Sequence, residues 1–501
     1  MPNMPFTLPT GMVSDDTVFA APGRWRRGSW VRFWEGSWQI KGGFERFLLD
    51  NLGGVCRTVF GWQDQQEITS VAFGLHNGLK YWQSGTFADI TPAAFVAGQI
   101  DGTGGAGFGT GAFGVGNYSE PSTADYFPLT WSLAAYGGDL MANPRGQTIF
   151  QYTPGDPLAL PLAGAPARVT FMLTTPSRQV LAFGCNQSVG GVFNPLCIRW
   201  SDIEDPTDWT ETSANNAGEW ILESGGRIVC ARVIGEYVLV WTSVSLFLGT
   251  FIGDPGQTWR FERVGSNCGA IGPNAPVIKS QNAAWIAPDR QLWSYTLGAA
   301  PVMMDCPIRT MFVDNISQGQ DDKIVGGSVS AFGEVSWFYP DARDGLENSR
   351  TITVGGGGWY PDLIARSAFV DAGPAPNPIG ISPDGSSYWH EKGQSADGGV
   401  LTGFLETTDF YMGNGEAGLM VNGLWPDFKN QVGVIQLTFF KREYPQGTER
   451  SFGPIALVPG ILQKSFRLAA RIVRVRLDFA SAPCYARGGA PQFDVSTIGG
   501  R

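Results

Sequence analysis

The feature that most constrains this chain is a strand-and-turn grammar repeated along most of its length, with almost no helix signal beside it. No segment places apolar residues at i, i+3, i+4 and i+7 over three clean turns. Instead, a strand ending in small or apolar residues meets a turn of Gly, Asn, Asp or Pro, and a second strand follows with an aromatic, usually Trp or Tyr. Ile68–Gly74 leads through His76-Asn77-Gly78 into Lys80–Gln83. Trp131–Tyr136, Val180–Gly184, Ile228–Val233, Ala283–Ile286, Ser328–Ala331 and Ile379–Ser382 open similar units. The apolar run Tyr237–Gly253 is broken at Thr242-Ser243. It reads as two buried strands and a turn, short of the roughly 20 residues that span a bilayer.

The grammar recurs about seven times between about Gly54 and Val400, or roughly 45–50 residues per unit, the length of a propeller blade. The expected fold class is all-β: a β-propeller of about seven blade-like units with a C-terminal β-sandwich-like domain. A stack of sandwiches produces the same signal. The expected organisation is an N-terminal β-hairpin segment at 1–53 closing or docking on the propeller, blades over 54–400, and a C-terminal β-domain over 401–501. In that last part Ile435, Leu437 and Phe439 share one strand face, as do Val473, Val475, Leu477 and Phe479.

Composition agrees. Aromatics make up 13% of the 501 residues, with 18 Trp, so apolar area for a core is ample. Charged residues are only 16%, and Gly (68) and Pro (33) are abundant, which suits tight turns rather than helices. The net charge of −10 argues against tight DNA binding, whose affinity comes from basic surface and counterion release. The N-terminus MPNMPFTLPTG has neither a basic nor an apolar signal-peptide region, so no signal peptide is expected.

Candidate chemistry is sparse. Seven cysteines are scattered without a CxxC pair, and only His76 and His390 are present, so neither structural zinc nor a disulfide framework is expected. His76 precedes a hairpin turn and is expected to be exposed; His390 sits at a strand end, and neither has a GxSxG partner. Ser382-Pro383-Asp384-Gly385 with Trp389 approaches a sialidase Asp box, but the spacing is wrong. Asp and Glu fall mostly in turn contexts such as Asp202–Pro206, and sequence places no carboxylate pair for glycoside cleavage. The Gly98–Gly116 segment holds a formal GxGxxG at Gly109, Gly111 and Gly114. Its glycine density forbids the helix a dinucleotide site needs. It reads as an insertion over 98–118, and Phe108, Phe113 and Tyr118 are the candidate gate or contact residues. Trp25, Trp30, Trp34 and Trp38 read as core or subunit contact, and Val31–Gly36 as a hairpin. The expectation is a chain with no catalytic residues, cofactor or metal.

The ordered motifs resemble the propeller-type tail nozzle or hub proteins of short-tailed bacteriophages, the packaged-DNA stabilisation family. Val31-Arg32-Phe33-Trp34-Glu35-Gly36 followed by Ile40-Lys41-Gly42-Gly43-Phe44 resembles the family's opening. Ile198-Arg199-Trp200-Ser201-Asp202 with Asp205-Pro206-Thr207-Asp208-Trp209 is similar to a recurrent blade element. Cys268–Pro273 with Trp285, Trp293 and Tyr295 resembles a later blade, and Gly109–Gly114 the family's glycine insertion. Phe404–Thr407, Trp425–Phe428, Gly453-Pro454 and Arg474–Leu477 look like its terminal β-domain, with Ala470 where the family usually has Gly. The resemblance implies a structural virion protein, a homohexamer below a head-to-tail adaptor or portal ring. It implies tail fibre or needle proteins as neighbours, and double-stranded DNA passing through the lumen without tight binding. It places the chain in the virion tail, and in the host cytoplasm during assembly. A receptor-binding or carbohydrate-binding tail propeller is the alternative.

Overall fold

A computed structural model describes residues 3–15, 23–102, 127–254, 257–411 and 418–498. Among them the chain is nearly all β, with a single short α-helix, Arg309–Val313. The strands form small antiparallel sheets, seven of them four-stranded and consecutive along the chain. Sheet 1 holds Cys56–Gln63, Thr69–Leu75, Gly78–Gln83 and Thr86–Asp89. Sheets 2, 3 and 4 begin with Trp131–Tyr136, Val169–Thr174 and Ile228–Ile234. Sheets 5 and 6 begin with Val277–Lys279 and Val325–Val329. Sheet 7 comprises Ala368–Val370, Ile379–Ile381 and Ser387–His390, and its fourth strand, Phe44–Arg46, comes from before sheet 1. The expected break at Thr242-Ser243 is there: Tyr237–Thr242 pairs with Ser245–Asp254.

The sheets meet through their first strands. Each first strand packs on that of the next sheet in order, and the first strand of sheet 7 packs on that of sheet 1. Side chains stitch these neighbours together. Thr58 Oγ1 donates to the Trp131 carbonyl (2.8 Å), and Ser132 Oγ accepts from the Met172 N–H (2.9 Å). Arg232 Nη2 donates to the Pro273 carbonyl (2.9 Å), and Ser328 Oγ to Asp371 (2.9 Å). The tryptophans of the repeat do the rest. A buried indole fills the space between two sheets but must find a partner for its N–H. Trp131 donates to the Leu75 carbonyl (2.8 Å), Trp337 to that of Ala275 (2.9 Å) and Trp359 to that of Asp305 (2.8 Å). Trp259 donates to Gln179 Oε1 (3.0 Å).

The N-terminal strands are divided between two bodies. Asn3–Pro5 pairs with Gln492–Ile498, Trp25–Ser29 with Phe404–Thr407, and the hairpin Val31–Trp34/Ser37–Ile40 with Tyr485–Gly488. They thus complete three sheets whose other strands come from residues 404–498. Trp25, Trp30 and Trp38 are buried there. In this terminal part Ile435, Leu437 and Phe439 are buried, as are Val473, Val475, Leu477 and Phe479, in the expected alternation. One hydrophobic core runs from these strands into sheets 5 and 6, through Trp337, Ile352 and Tyr360.

Where the two bodies meet, charge is buried. Arg32, 1% exposed, donates to Glu334 through Nε (2.8 Å) and Nη2 (3.1 Å), and to Glu391 through Nη1 (2.9 Å). Its guanidinium lies 3.5 Å from the Phe332 ring centroid, and Tyr360 donates to Glu334. Lys41 pairs with buried Asp362 at 2.9 Å, and Asp362 also accepts from Ser29 Oγ and the Trp30 N–H. The carboxylates are therefore not confined to turns: Glu334, Asp341, Asp362, Glu406 and Asp409 are buried, each with hydrogen-bonding or charged partners.

Gly74 tests the packing between sheets 1 and 2. A Cβ at this position would lie 2.5–2.7 Å from Trp131 side-chain atoms, on a strand paired on both sides. Gly74→Ala is expected to destabilise the chain by about 1–3 kcal/mol through overpacking, measured as a lower urea midpoint at unchanged slope.

Candidate functional site

The first strands of all seven sheets, or the residues just before them, line one cavity of about 480 Å³. Its wall includes Arg57, Trp131, Phe171, Arg232, Asn274 and Phe369. Asn274 reaches from the start of sheet 5 to sheet 1, donating from Nδ2 to the Arg57 carbonyl (2.9 Å). Arg57 is tied to Glu347 by Nη1 (2.8 Å) and Nη2 (2.6 Å). A second cavity of about 430 Å³ adjoins the first along the same strands: Arg168 and Thr170 line the second, Phe171–Thr174 the first.

The second cavity sits where the glycine-rich insertion leaves and re-enters the sheets. Gly98 and Gln99 line it from the outgoing stem, Phe127 and Leu129 from the returning one, and the Leu129 N–H donates to the Gln99 carbonyl (2.9 Å). The outgoing stem is held firmly. Gln320 exchanges two hydrogen bonds with the Gly102 backbone (3.1 and 2.8 Å). Arg57 Nη2 donates to the Ile100 carbonyl (2.9 Å). Lys323, fully buried, reaches Asp101 (2.5 Å), Glu347 (3.0 Å) and the Leu346 carbonyl (2.8 Å). Phe127, on the returning stem, has Arg145 and Arg227 at 4.0 and 4.2 Å from its ring centroid. The candidate gate residues Phe108, Phe113 and Tyr118 lie outside the described residues, between these stems.

The histidines are committed to structure. His76 is half-buried, where an exposed ring was expected, because its Nδ1 accepts the Val55 N–H (3.1 Å). His390 is buried at the end of its strand and its Nε2 accepts from Arg366 Nε (2.7 Å). Burial pushes the His390 imidazole well below its ordinary value of 6.5, and the charges of Arg366 and Lys41 add to this. All seven cysteines are free and buried. Burial pushes the thiols of Cys56, Cys230 and Cys306 up to about 12, far from the thiolate form that reacts. Among the described residues no group of three His, Cys, Asp or Glu is placed to hold a metal ion. No helix among them is long and apolar enough to cross a membrane.

The resembling blade element is also spent on structure. Trp200 Nε1 donates to the Asn216 carbonyl (2.8 Å), Ser201 Oγ accepts the Val180 N–H (3.1 Å), and Asp202 Oδ1 accepts the N–H groups of Ile203 and Asn216 (2.8 Å each). Sequence reading passed over Arg57, Arg145, Arg227, Arg232 and Lys323. For Arg57 and Arg232 a signal exists: each stands within an apolar strand, in CRTVFG and IVCARVI, where a charge needs a dedicated partner or a cavity.

No protein-family model and no curated protein matches the chain. Among solved structures, the crystal structure of the computationally designed Ika8 protein is similar at 13% identity, covering 70% of this chain and all of its own, with a TM-score of 0.37. A likeness that weak carries no argument about fold or function.

Two outcomes follow. Lys323→Met removes the one cation shared by Asp101 and Glu347. Both acids are partly exposed, so the expected loss is about 1–3 kcal/mol rather than that of a fully buried pair; limited proteolysis adjoining Gly102 should accelerate. His390 is held neutral in the fold and free to charge when unfolded. Its contribution is complete above pH 6.5 and is lost as pH falls, at up to about 1.4 kcal/mol per unit. Chemical denaturation between pH 7.5 and 5 should show a shallower acid-side slope for His390→Asn than for the wild type.

Proposed function

We propose that the seven four-stranded sheets form a seven-bladed β-propeller, and that the chain is a non-catalytic structural subunit of a short-tailed bacteriophage tail. The fold reading rests on the order of first-strand contacts, which returns from sheet 7 to sheet 1, and on a cavity that all seven sheets line. Taking the closing strand of the last blade from the N-terminal end, as Phe44–Arg46 does, ties a propeller's two ends together and leaves no free edge between them.

The functional reading is a nozzle or hub subunit in a six-fold ring below the adaptor, conducting, retaining and then releasing the genome. The observation that carries it is the ordered motif set along the chain, joined to the way its polar residues are used. Arg32 and Lys41 of the opening motif are consumed in holding sheets together, and Trp200, Ser201 and Asp202 of the blade element in fixing strands and connection within sheet 3. Residues used in this way suit a rigid load-carrying part rather than a reactive centre. A net charge of −10 per copy, multiplied by six, favours DNA passing over DNA adhering.

The test is imaging of purified particles by electron microscopy with the gene intact and disrupted. Six copies on the tail axis, and particles that lose their packaged DNA without this chain, are expected. Particles that keep their DNA but fail to adsorb to cells would replace this reading with a receptor-binding one. Absence of the chain from particles would end both.

A further inference from the structure

The three sheets that the N-terminal strands complete enclose a cavity of about 260 Å³. Phe33 and Trp38 line it from one sheet, Trp25, Leu437 and Leu477 from the second, and Phe493 from the third. No described charged residue belongs to its wall. Protein interiors leave few voids larger than a water molecule, and an apolar void of about 150 Å³ already takes up benzene. Trp25 and Trp38 are each only 6% exposed, yet neither indole N–H has an acceptor among the described residues. They differ from Trp241 and Trp293, whose unpartnered N–H groups are sealed from any open space. Gly488, also part of the wall, leaves no room for a side chain against Trp38 Nε1. The tryptophans between the seven sheets show the contrast: Trp131, Trp259, Trp337 and Trp359 each meet an oxygen. A buried donor without an acceptor is costly unless something else supplies one.

We propose that this cavity is a binding site for an uncharged small molecule with an apolar body and a carbonyl oxygen, an ester or ketone, whose oxygens supply the acceptors that Trp25 and Trp38 lack. Three features select this chemistry. An ion brought into a wall without charges would lose its hydration and gain no partner, so the ligand is neutral. An indole N–H only donates, so the ligand must accept. The wall is otherwise aromatic and aliphatic apart from the hydroxyls of Thr7, Thr10 and Ser37, so the body of the ligand is apolar. The cover of the cavity provides a way in. Phe6, Thr7, Leu8 and Thr10 lie across it, on a stretch whose ends are fixed by the Phe6 N–H on the Pro491 carbonyl and the Met12 N–H on the Trp359 carbonyl (2.8 Å each). Between these ends, residues 7–11 make no backbone hydrogen bond among the described residues, so the stretch can part from the sheets while both ends stay held. The site is independent of the tail reading: it belongs to the single chain and is assayed on it.

The test is calorimetric titration of the purified full chain with methyl benzoate. Propylbenzene, of similar shape without an acceptor, and benzoate, which carries a charge, serve as parallel probes. Saturable binding of methyl benzoate is expected, with propylbenzene weaker and benzoate not bound at the same concentrations. Trp38→Phe keeps an aromatic ring and removes the N–H. It should weaken methyl benzoate about five-fold, the worth of one hydrogen bond, and leave propylbenzene unchanged. Trp293→Phe removes an unpartnered N–H that lies away from the cavity and should change neither. Thermal unfolding without ligand checks that Trp38→Phe folds, and Trp25→Phe repeats the test if it does not. No saturable binding of methyl benzoate by the wild type at millimolar concentration overturns the proposal. So does binding of propylbenzene or benzoate as tight as that of methyl benzoate, or a methyl benzoate affinity unchanged in the folded variants of both tryptophans.

Discussion

The fork made by Arg32 joins the parts of this molecule. One guanidinium, almost wholly out of water, is shared by Glu334 on sheet 6 and by Glu391 just beyond sheet 7. A buried charge tolerates no imprecision, because an unpaired ion in the interior costs several kcal/mol. The hairpin that carries Arg32 is thereby held against two sheets at once. Gly42 and Gly43 follow directly, packed on Glu391 and Ser395 too closely for a side chain. The next residues are Phe44–Arg46, the fourth strand of sheet 7. The ionic joint thus sets where that strand begins and therefore its register.

Around the rest of the assembly the work is done by tryptophan. Trp131, Trp259, Trp337 and Trp359 each fill a gap between neighbouring sheets and donate the indole N–H to a carbonyl or amide oxygen there, so burial and polar satisfaction come from one side chain. This explains how a chain with few charges keeps its sheets in order, and why glycine recurs where an indole presses on a strand. Gly74 beneath Trp131 and Gly218 beneath Trp200 are two such places.

Much of the local structure was legible. The alternation of Ile435, Leu437 and Phe439 appears where the pattern put it, and the turns at His76-Asn77 and Ser243-Val244 each fall within one residue of the expected Asn77-Gly78 and Thr242-Ser243, because period 2 and turn propensity are local properties of the backbone. The placement of the first strands was not legible. Residues 25–40 carry no mark saying that they pair with strands that lie hundreds of residues later, as Trp25 does with Thr407 and Gln39 with Arg487. Nor did His76 announce its partner, because the Val55 N–H reaches it only through the turn of sheet 1. The insertion was recognised by composition. Its stems became a site only once Gln320, Lys323 and Arg145 were brought to them from distant segments.

The sequence alone determined that the chain is all-β, that its strands come in repeated units with aromatic second members, and that it lacks the histidine and cysteine spacing of common reaction centres. These are matters of propensity and spacing, which each stretch of chain carries within itself. Tertiary structure decided which carboxylate meets Arg32, which strand completes sheet 7, and that five arginines from separate segments share two adjoining cavities. Those outcomes depend on contacts across hundreds of residues, where the cost of burying an unpaired group, rather than any local preference, selects the partner.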